Sequence, residues 1–362
     1  MHGQKRMLSG SLVLVIVLGQ AYALRASETL NELIAGAKKE KEQELVMVAG
    51  GNTFGGRKAF SELERIFNKK YGLSARLTLV AGPSLSPMAA RVITELKTKR
   101  KSSTAVYIGY IAQFALLHQE NALAKVDWSR IFPWITREME IFPSEGVLLD
   151  ASFNGPIYNS NFIPKEKAPK RYEDLIDPRL SPTWAGKLAI PPYTTWLTEL
   201  SLIWGEEKVK DFTRKLVPLS GGRIRYGDEE RIVSGEFPIM ADVSNAPGRA
   251  RAWQAKGAPL DFVLGSVPPV TLYFLLGVPL NSASPNLAKL LVGLMLTKEA
   301  QVITEKYNEG ATSHMIEGTF VAKYVRDNRL ELLDPSKVKE FYLKGDASGQ
   351  QLRKELDQLL KQ

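Results

Sequence analysis

Apolar stretches of strand length alternate with amphipathic stretches of helical spacing through the first third of the chain. Residues 45–49, 73–80 and 104–108 are predicted strands, and each is followed by a polar loop and then by a helix. Repeated strand–loop–helix units predict an α/β fold with helices on both faces of a parallel sheet. Ligands of such sheets bind at the carboxyl ends of the strands, so we expect binding residues in the loops that follow them.

Residues 172–196 are predicted to form the start of a second structural unit. Pro178 should stop a short helix, because proline forces the residue before it out of the α region. Residues 184–187 then predict a tight turn into a strand at 188–190. The strand opens into a polar loop at 193–196, a common position for ligand-binding residues in α/β proteins.

Later apolar segments predict that the second unit is inserted into the first. Residues 270–279 are an apolar run, and a strongly apolar helix at 287–296 follows them, which suits a strand that returns to the first unit. The charged, helical C-terminal residues are expected to pack on a lobe surface. The predicted organisation is lobe 1 at 27–152 and 272–315, lobe 2 at 153–271, and C-terminal helices at 316–362.

The N-terminal residues have the pattern of a secretory signal peptide. Basic residues precede an apolar run at 11–18, and small residues follow at the spacing that a signal peptidase reads. The run is far shorter than the roughly 20 apolar residues that span a bilayer, which disfavours a membrane anchor. We therefore predict a signal peptide at 1–26, with cleavage after Ala23 or Ala26, and an exported protein.

Composition restricts the possible partners. The chain of 362 residues is 44% hydrophobic, enough for a large core, and it has no cysteine, which excludes disulfides and a cysteine-linked lipid anchor. The formal net charge of +9 is mild, and basic residues are scattered among acids instead of forming a tract interleaved with aromatic residues. Nucleic acid is therefore not an expected partner.

The sequence lacks the usual motifs for cofactors, metals and catalysis. The glycine loop at 50–56 could hold an anion through backbone N–H groups, but it matches neither the dinucleotide fingerprint nor the P-loop. His2, His118 and His314 lie far apart in the sequence, so no histidine metal cluster is expected. A nucleophile elbow, zinc spacing and a paired histidine and carboxylate are also missing, so we expect no cofactor, no metal and no enzyme activity.

Several segments occur in an order that is specific for a known family. They are Tyr158-Asn159 and residues 172–178, 184–190, 234–239 and 296–301. Together they resemble bacterial extracellular solute-binding proteins of ABC importers, in the family 1 group that includes the periplasmic ferric-iron binders. The resemblance covers about residues 45 to 307.

This resemblance implies a two-lobed type II periplasmic-binding fold, in which each lobe is a mostly parallel sheet flanked by helices and crossing strands form a hinge. It implies a periplasmic monomer that binds a small-molecule solute and delivers it to the transmembrane subunits of an ABC permease. Iron-binding relatives hold ferric iron with adjacent tyrosines just after the strand that corresponds to 235–241, whereas residues 241–248 contain no tyrosine. Ferric iron is therefore not the expected solute.

Polar, mostly neutral residues are expected around the cleft between the lobes, and they suit a small organic anion held by oriented hydrogen bonds. Arg225 could pair with a carboxylate or phosphonate, although a solvated ion pair with Asp228 or Glu229 explains it equally well. Trp196 and Tyr273 could contact the ligand or belong to the core. The candidate ligand-binding residues are Asn52, Thr53, Ser84, Tyr110, Asn154, Thr194, Thr195, Trp196, Arg225, Asn245 and Tyr273.

We predict a periplasmic receptor that captures its solute by hinge closure, because the ligand touches both lobes only when they are shut. The alternative is a sensing receptor for a membrane kinase or chemoreceptor, which would use the same lobe surfaces. A ferric-iron binder and an exported enzyme are less favoured. The sequence also predicts that Thr195→Ala and Asn245→Ala weaken solute binding without disturbing the fold.

Overall fold

The computed structural model describes residues 28–50, 53–83, 85–307, 311–344 and 347–361. The predicted signal peptide at 1–26 lies outside these residues, and so do Asn52 and Ser84 of the predicted ligand site. No described helix is both long enough and apolar enough to cross a membrane.

Helices and short strands alternate along the chain. Within the described residues, the α-helices are α1 (Leu30–Lys39), α2 (Gly56–Tyr71), α3 (Leu85–Lys97), α4 (Ile111–Gln119), α5 (Trp128–Ile131), α6 (Thr195–Trp204), α7 (Glu206–Leu216), α8 (Glu230–Val233), α9 (Ala246–Gln254), α10 (Pro285–Met295), α11 (Lys298–Tyr307), α12 (Phe320–Asn328), α13 (Pro335–Leu343) and α14 (Ala347–Leu360). The strands are β1 (Glu44–Ala49), β2 (Arg76–Ala81), β3 (Tyr107–Tyr110), β4 (Val147–Phe153), β5 (Gly155–Asn159), β6 (Leu188–Ile190), β7 (Ser220–Arg223), β8 (Ile239–Val243), β9 (Leu260–Phe262) and β10 (Thr271–Gly277). Short 3-10 helices span Thr53–Gly55, Arg137–Met139, Tyr172–Ile176, Ser181–Thr183 and Val217–Leu219.

The strands form sheets of mixed direction. β1 pairs with β2, a second sheet has the order β3-β10-β4, and a third has the order β7-β6-β8-β5-β9. The β1–β2, β6–β7 and β6–β8 pairs are parallel, whereas β10 runs antiparallel to β3 and β4, and β5 runs antiparallel to β8 and β9. The α/β class is confirmed, but the expected mostly parallel sheets are corrected to mixed ones. The reason is that β5 and β10 enter their sheets from the other unit, opposite in direction to their new neighbours.

Separate cores define the two lobes. Lobe 1 is built around β1–β4 and β10, where Phe67, Phe114 and Phe132 are fully buried. Lobe 2 is built on both faces of the five-stranded sheet, and adjacent Ile239 and Met240 on β8 join different cores, since strand side chains alternate between faces. This arrangement agrees with the predicted two-lobed fold. We keep the predicted residue boundaries of the lobes as a proposal.

Several strands begin later than the sequence predicts, including the third strand and the strand expected at 235–241. The third strand was expected at 104–108, but the Thr104 hydroxyl accepts from Val48 N (3.1 Å) and donates to Val106 O (2.7 Å), so the ladder of β3 starts only at Tyr107. The strand expected at 235–241 starts at Ile239, because Gly235 has a left-handed backbone (φ +82°) that turns the chain before the strand. Side-chain bonding and backbone turns therefore shift strand starts that hydrophobicity alone would place earlier.

The chain crosses between the lobes at two adjacent points. Asn154 lies between β4 and β5, and its backbone N–H donates to Val270 O (2.8 Å), just before β10 begins. Gly155 follows, and a Cβ atom there would lie 1.9 Å from the Val263 carbonyl oxygen, so the close approach requires glycine. The two connections thus lie side by side, as the predicted hinge requires.

The C-terminal helices contact both lobes. α13 packs on α4 of lobe 1, whereas Leu352, Leu356 and Leu360 of α14 join the core of lobe 2. The Tyr342 hydroxyl on α13 also donates to Glu199 Oε1 on α6 (3.1 Å). This segment therefore bridges the lobes.

Candidate functional site

A cavity of about 650 Å³ lies between the two lobes. Lobe 1 contributes residues after β1, within β3 and before α2, the hinge strands and the end of α11, while lobe 2 contributes the loop before α8 and one side of α9 with the residues before it. The lining residues are Gly50, Thr53, Phe54, Gly55, Ile108, Asp150, Ser152, Tyr226, Gly227, Glu229, Ser244, Asn245, Arg249, Trp253, Phe274, Tyr307 and Ala311.

Helices from opposite lobes begin at this cleft. In lobe 1, the turn at Thr53–Gly55 leads into α2, and Gly55 takes the left-handed conformation (φ +92°) that turns the backbone into the helix. In lobe 2, Asn245 precedes α9 and is also left-handed (φ +55°), a conformation that asparagine tolerates better than most residues. The first N–H groups of a helix have no partner within it, and its dipole is positive there, so both helix starts favour an anion.

An arginine–glutamate pair forms the lobe 2 wall of the cleft. The Arg249 Nη1 donates to both carboxylate oxygens of Glu229 (3.0 and 2.9 Å), and its Nε donates to Ser244 O (3.0 Å). Glu229 is 2% exposed and also accepts from the Gly227 N–H (2.8 Å). The pair therefore fixes a guanidinium at the cleft and neutralises the carboxylate beneath it.

A buried carboxyl joins the cleft to the hinge. Asp242 on β8 accepts hydrogen bonds from the Tyr226 hydroxyl (2.5 Å), from Asn154 Nδ2 (2.8 Å) and from the Tyr172 hydroxyl. Burial raises the pKa of Asp242 to about 7, an effect that its hydrogen bonds oppose. One side chain therefore connects Tyr226 of the cleft wall, Asn154 of the hinge and the lobe 2 core.

A second carboxyl faces the cavity from the hinge strand β4. Asp150 is 5% exposed, and the Ser152 hydroxyl donates to its Oδ1 (3.3 Å). Its register partner on β10 is Phe274, which in turn is paired with Tyr110 on β3, so these three side chains share one face of the sheet. Burial raises the pKa of Asp150 to about 8. Burial therefore favours the protonated form of this carboxyl more than at an exposed aspartate.

The buried carboxyls predict how stability depends on pH. Burial raises the pKa values of Asp150 and Glu199 to about 8 and that of Asp242 to about 7. In the unfolded chain such groups lose their protons at about pH 4. Above that pH the folded chain therefore holds more protons than the unfolded chain. The free energy of unfolding then falls as the pH rises through the folded-state pKa values. Buried His314, with its pKa lowered to about 4, acts in the opposite sense only below about pH 6.5. We therefore expect the free energy of unfolding to fall between about pH 6.5 and 8.

Urea unfolding at several pH values in that window measures the decline. Glu199→Gln should flatten it by on the order of 1 kcal/mol, because it removes one of the titrating groups without entering the cleft. Glu236→Gln is the control, since Glu236 is half-exposed and its hydrogen bond from Arg231 lowers its pKa. If the free energy of unfolding fell equally in the wild type and in Glu199→Gln, Glu199 would not be one of the groups that titrate in this pH window.

The structure brings part of the predicted ligand set to the cleft. Thr53 and Asn245 line the cavity from opposite lobes. Tyr110 packs against the cavity residue Phe274, with ring centroids 4.2 Å apart. Asn154 lies behind the wall and reaches it through Asp242.

The remaining described candidates do not line this cavity. Thr194 and Thr195 begin α6, where the Thr194 carbonyl accepts from Thr198, and Arg225 is exposed to solvent. Trp196 is fully buried against Tyr172, and Tyr273 is buried with its hydroxyl bonded to Leu333 O. The suggested ligand contacts of Trp196 and Tyr273 are therefore corrected to core roles, because neither side chain has a face open to the cleft.

Sequence reasoning missed the charged residues of the site, namely Asp150, Glu229, Asp242 and Arg249. A usable signal existed for the two aspartates, because each interrupts an otherwise apolar strand, in V-L-L-D-A and I-M-A-D-V. Aspartate is rarely buried unless it is paired, so an acid within an apolar strand indicates a special environment. For the Arg249–Glu229 pair, nothing in the sequence indicates that the two residues meet.

No protein-family model and no curated protein matches the chain. Solved structures do match it. A substrate-binding protein of an ABC transporter from Agrobacterium tumefaciens aligns with a TM-score of 0.67 at 16% identity, over 90% of this chain and 96% of that one. The chain has the two-lobed fold of the periplasmic binding proteins.

Further periplasmic binding proteins align equally well. Iron-bound HitA from Pseudomonas aeruginosa has a TM-score of 0.66 at 16% identity, over 86% of this chain and 99% of that one. AfuA from Actinobacillus pleuropneumoniae, solved with fructose-6-phosphate, has a TM-score of 0.66 at 17% identity, over 88% and 98%. Proteins of this fold thus differ in what they bind, and in this chain no described group of three or more His, Asp or Glu side chains could hold a metal ion.

Proposed function

We propose that the chain is the solute-binding component of an ABC importer, which captures a small organic anion in the cleft and delivers it to a membrane permease. The observation that carries the proposal is the cavity of about 650 Å³, which is lined from both lobes and at which α2 and α9 begin. A solute held there would contact both lobes at once and stabilise their closed arrangement.

The charges around the cavity favour an anionic solute. The starts of α2 and α9 carry partial positive charge, and Arg249 places a guanidinium at the wall. The opposing carboxyls add limited repulsion, since Glu229 is paired with Arg249 and the raised pKa of Asp150 favours its neutral form. The cavity therefore presents donors and positive charge to an incoming anion.

A sensing receptor is the alternative, because it would use the same lobes and the same cleft. The location we propose is the periplasm, where such a receptor would act as a monomer with the permease as partner. A permease and an ATPase encoded beside this chain favour transport, whereas a histidine kinase there favours sensing. Product formed from the bound solute would contradict both and favour an enzyme.

Mass spectrometry of solute that co-purifies with the chain is the most direct test. A thermal-shift screen of carboxylates, phosphonates, polyamines and ferric complexes should follow. A true solute at 100 times its dissociation constant should stabilise the fold by about 2.7 kcal/mol and should not be consumed. Stabilisation by ferric complexes alone would contradict the organic-anion proposal.

Asn245→Gly should weaken binding of the best solute by about tenfold, because it removes an amide that lines the cavity. Glycine is preferred to alanine here, since the backbone of residue 245 is left-handed (φ +55°), a region that glycine adopts freely and alanine tolerates less well than asparagine. Thr195→Ala is the matched control, because Thr195 does not line the cavity. Isothermal titration calorimetry measures both variants, and a larger loss in Thr195→Ala would move the site towards α6.

A further inference from the structure

We propose that the solute carries a protonated amine as well as its anionic group, and that Asp150 binds the amine. This inference rests on the proposed function and narrows its solute class to amine-bearing organic anions. It follows from the position of Asp150 on the hinge strand β4, where its carboxyl lines the cavity yet is 5% exposed.

The hydrogen bonding of Asp150 suits a carboxylate. The Ser152 hydroxyl donates to Oδ1 (3.3 Å), and a donated hydrogen bond favours the ionised form. A protonated carboxyl could donate its own O–H to the Ser152 hydroxyl only if that hydroxyl gave up its hydrogen bond to Oδ1. The site is therefore arranged to accept further hydrogen bonds rather than to donate one.

The charge of an ionised Asp150 is left for the solute to balance. Among the described residues that line the cavity, Arg249 is the single cation, and its guanidinium is held by Glu229 and Ser244 on the opposite wall. A buried carboxylate without a cation is costly, and burial accordingly raises the pKa of Asp150 to about 8. An ammonium group supplies both the missing charge and N–H donors. A site that only had to donate a hydrogen bond to an anion could use a hydroxyl or amide, which costs far less free energy to bury than a carboxylate.

The neighbours of Asp150 also suit an ammonium. Phe274 is its register partner and lines the cavity, and the Tyr110 ring packs against Phe274 with centroids 4.2 Å apart. The faces of aromatic rings attract cations, most strongly where water is excluded. The anionic end of the same solute would then lie towards the starts of α2 and α9.

Matched pairs of small acids test this assignment by calorimetry on the purified chain. The pairs are 4-aminobutyrate with butyrate, L-glutamate with glutarate, and 3-aminopropylphosphonate with propylphosphonate. We expect the wild type to bind the amine-bearing member of the best pair about tenfold or more tightly than its deaminated partner. Asp150→Asn should reduce the preference for the amine-bearing member to less than about twofold.

The outcomes separate this inference from the proposed function. Equal affinity for both members of every pair, or binding of the deaminated members alone, overturns the amine assignment and leaves the anion receptor intact. A wild type that binds no member of any pair contradicts the anionic-solute proposal as well. If Asp150→Asn does not fold, Asp150→Ser and the preference of the wild type itself still decide the question.

Discussion

Asp242→Ala is expected to lower the free energy of unfolding by about 3 to 6 kcal/mol, because two buried donors and one partly buried donor lose their common acceptor and each unsatisfied donor costs about 1 to 3 kcal/mol. The donors are Asn154 Nδ2 and the hydroxyls of Tyr172 and Tyr226. Alanine is too short for any of them to reach a new partner, and Asp242 itself is fully buried, so water cannot easily replace it.

Chemical denaturation measures the loss, with Asp211→Ala as the matched control. Asp211 is an exposed residue of lobe 2 whose carboxylate pairs with Lys215 one turn away, and removing it should cost less than about 0.5 kcal/mol. Asp242→Asn should fall between the two variants, because an amide keeps one acceptor but turns an NH₂ group towards a donor. A loss in Asp242→Ala no larger than that in Asp211→Ala would show that the network does not hold lobe 2 to the hinge.

The strands that could be predicted from the sequence are those whose signals are local. β1 is a continuous apolar run, and β6 lies between a glycine turn at Gly186 and a Pro-Pro stop, so hydrophobicity and turn chemistry agree. β3 starts late because a single hydroxyl, that of Thr104, replaces part of a strand ladder. Such an effect depends on a partner 56 positions away, which periodicity cannot detect.

The site was harder to predict than the fold for the same physical reason. Thr53 and Asn245 could be found because they follow strands and begin helices, which are features of short sequence windows. Asp242 meets Asn154 across 88 positions and Tyr172 across 70 positions, so its environment exists only after the lobes have formed. Trp196 misled the prediction because a large aromatic residue after a polar loop is equally typical of a core, where it in fact packs.

Arg249→Ala is expected to cost about 3 to 5 kcal/mol of stability, because it leaves the buried Glu229 carboxylate without its cation. The same variant should weaken binding of the anionic solute by roughly 10- to 100-fold, since it removes the guanidinium of the cleft wall. Arg251→Ala is the matched control on the same helix. Arg251 is largely exposed, pairs loosely with Glu305 (3.6 Å) and stacks over the Phe320 ring (4.3 Å to its centroid), so its removal should cost about 1 kcal/mol.

The double variant Arg249→Met/Glu229→Gln separates the structural role of Arg249 from its role in binding. It removes both charges and keeps an acceptor for the Gly227 N–H, so most of the lost stability should return. Solute affinity should stay low, because no positive side chain replaces the guanidinium at the wall. Denaturation and calorimetry on the same preparations measure both quantities. If the double variant regains affinity together with stability, Arg249 acts only by neutralising Glu229, and the anion must be held by the helix starts alone.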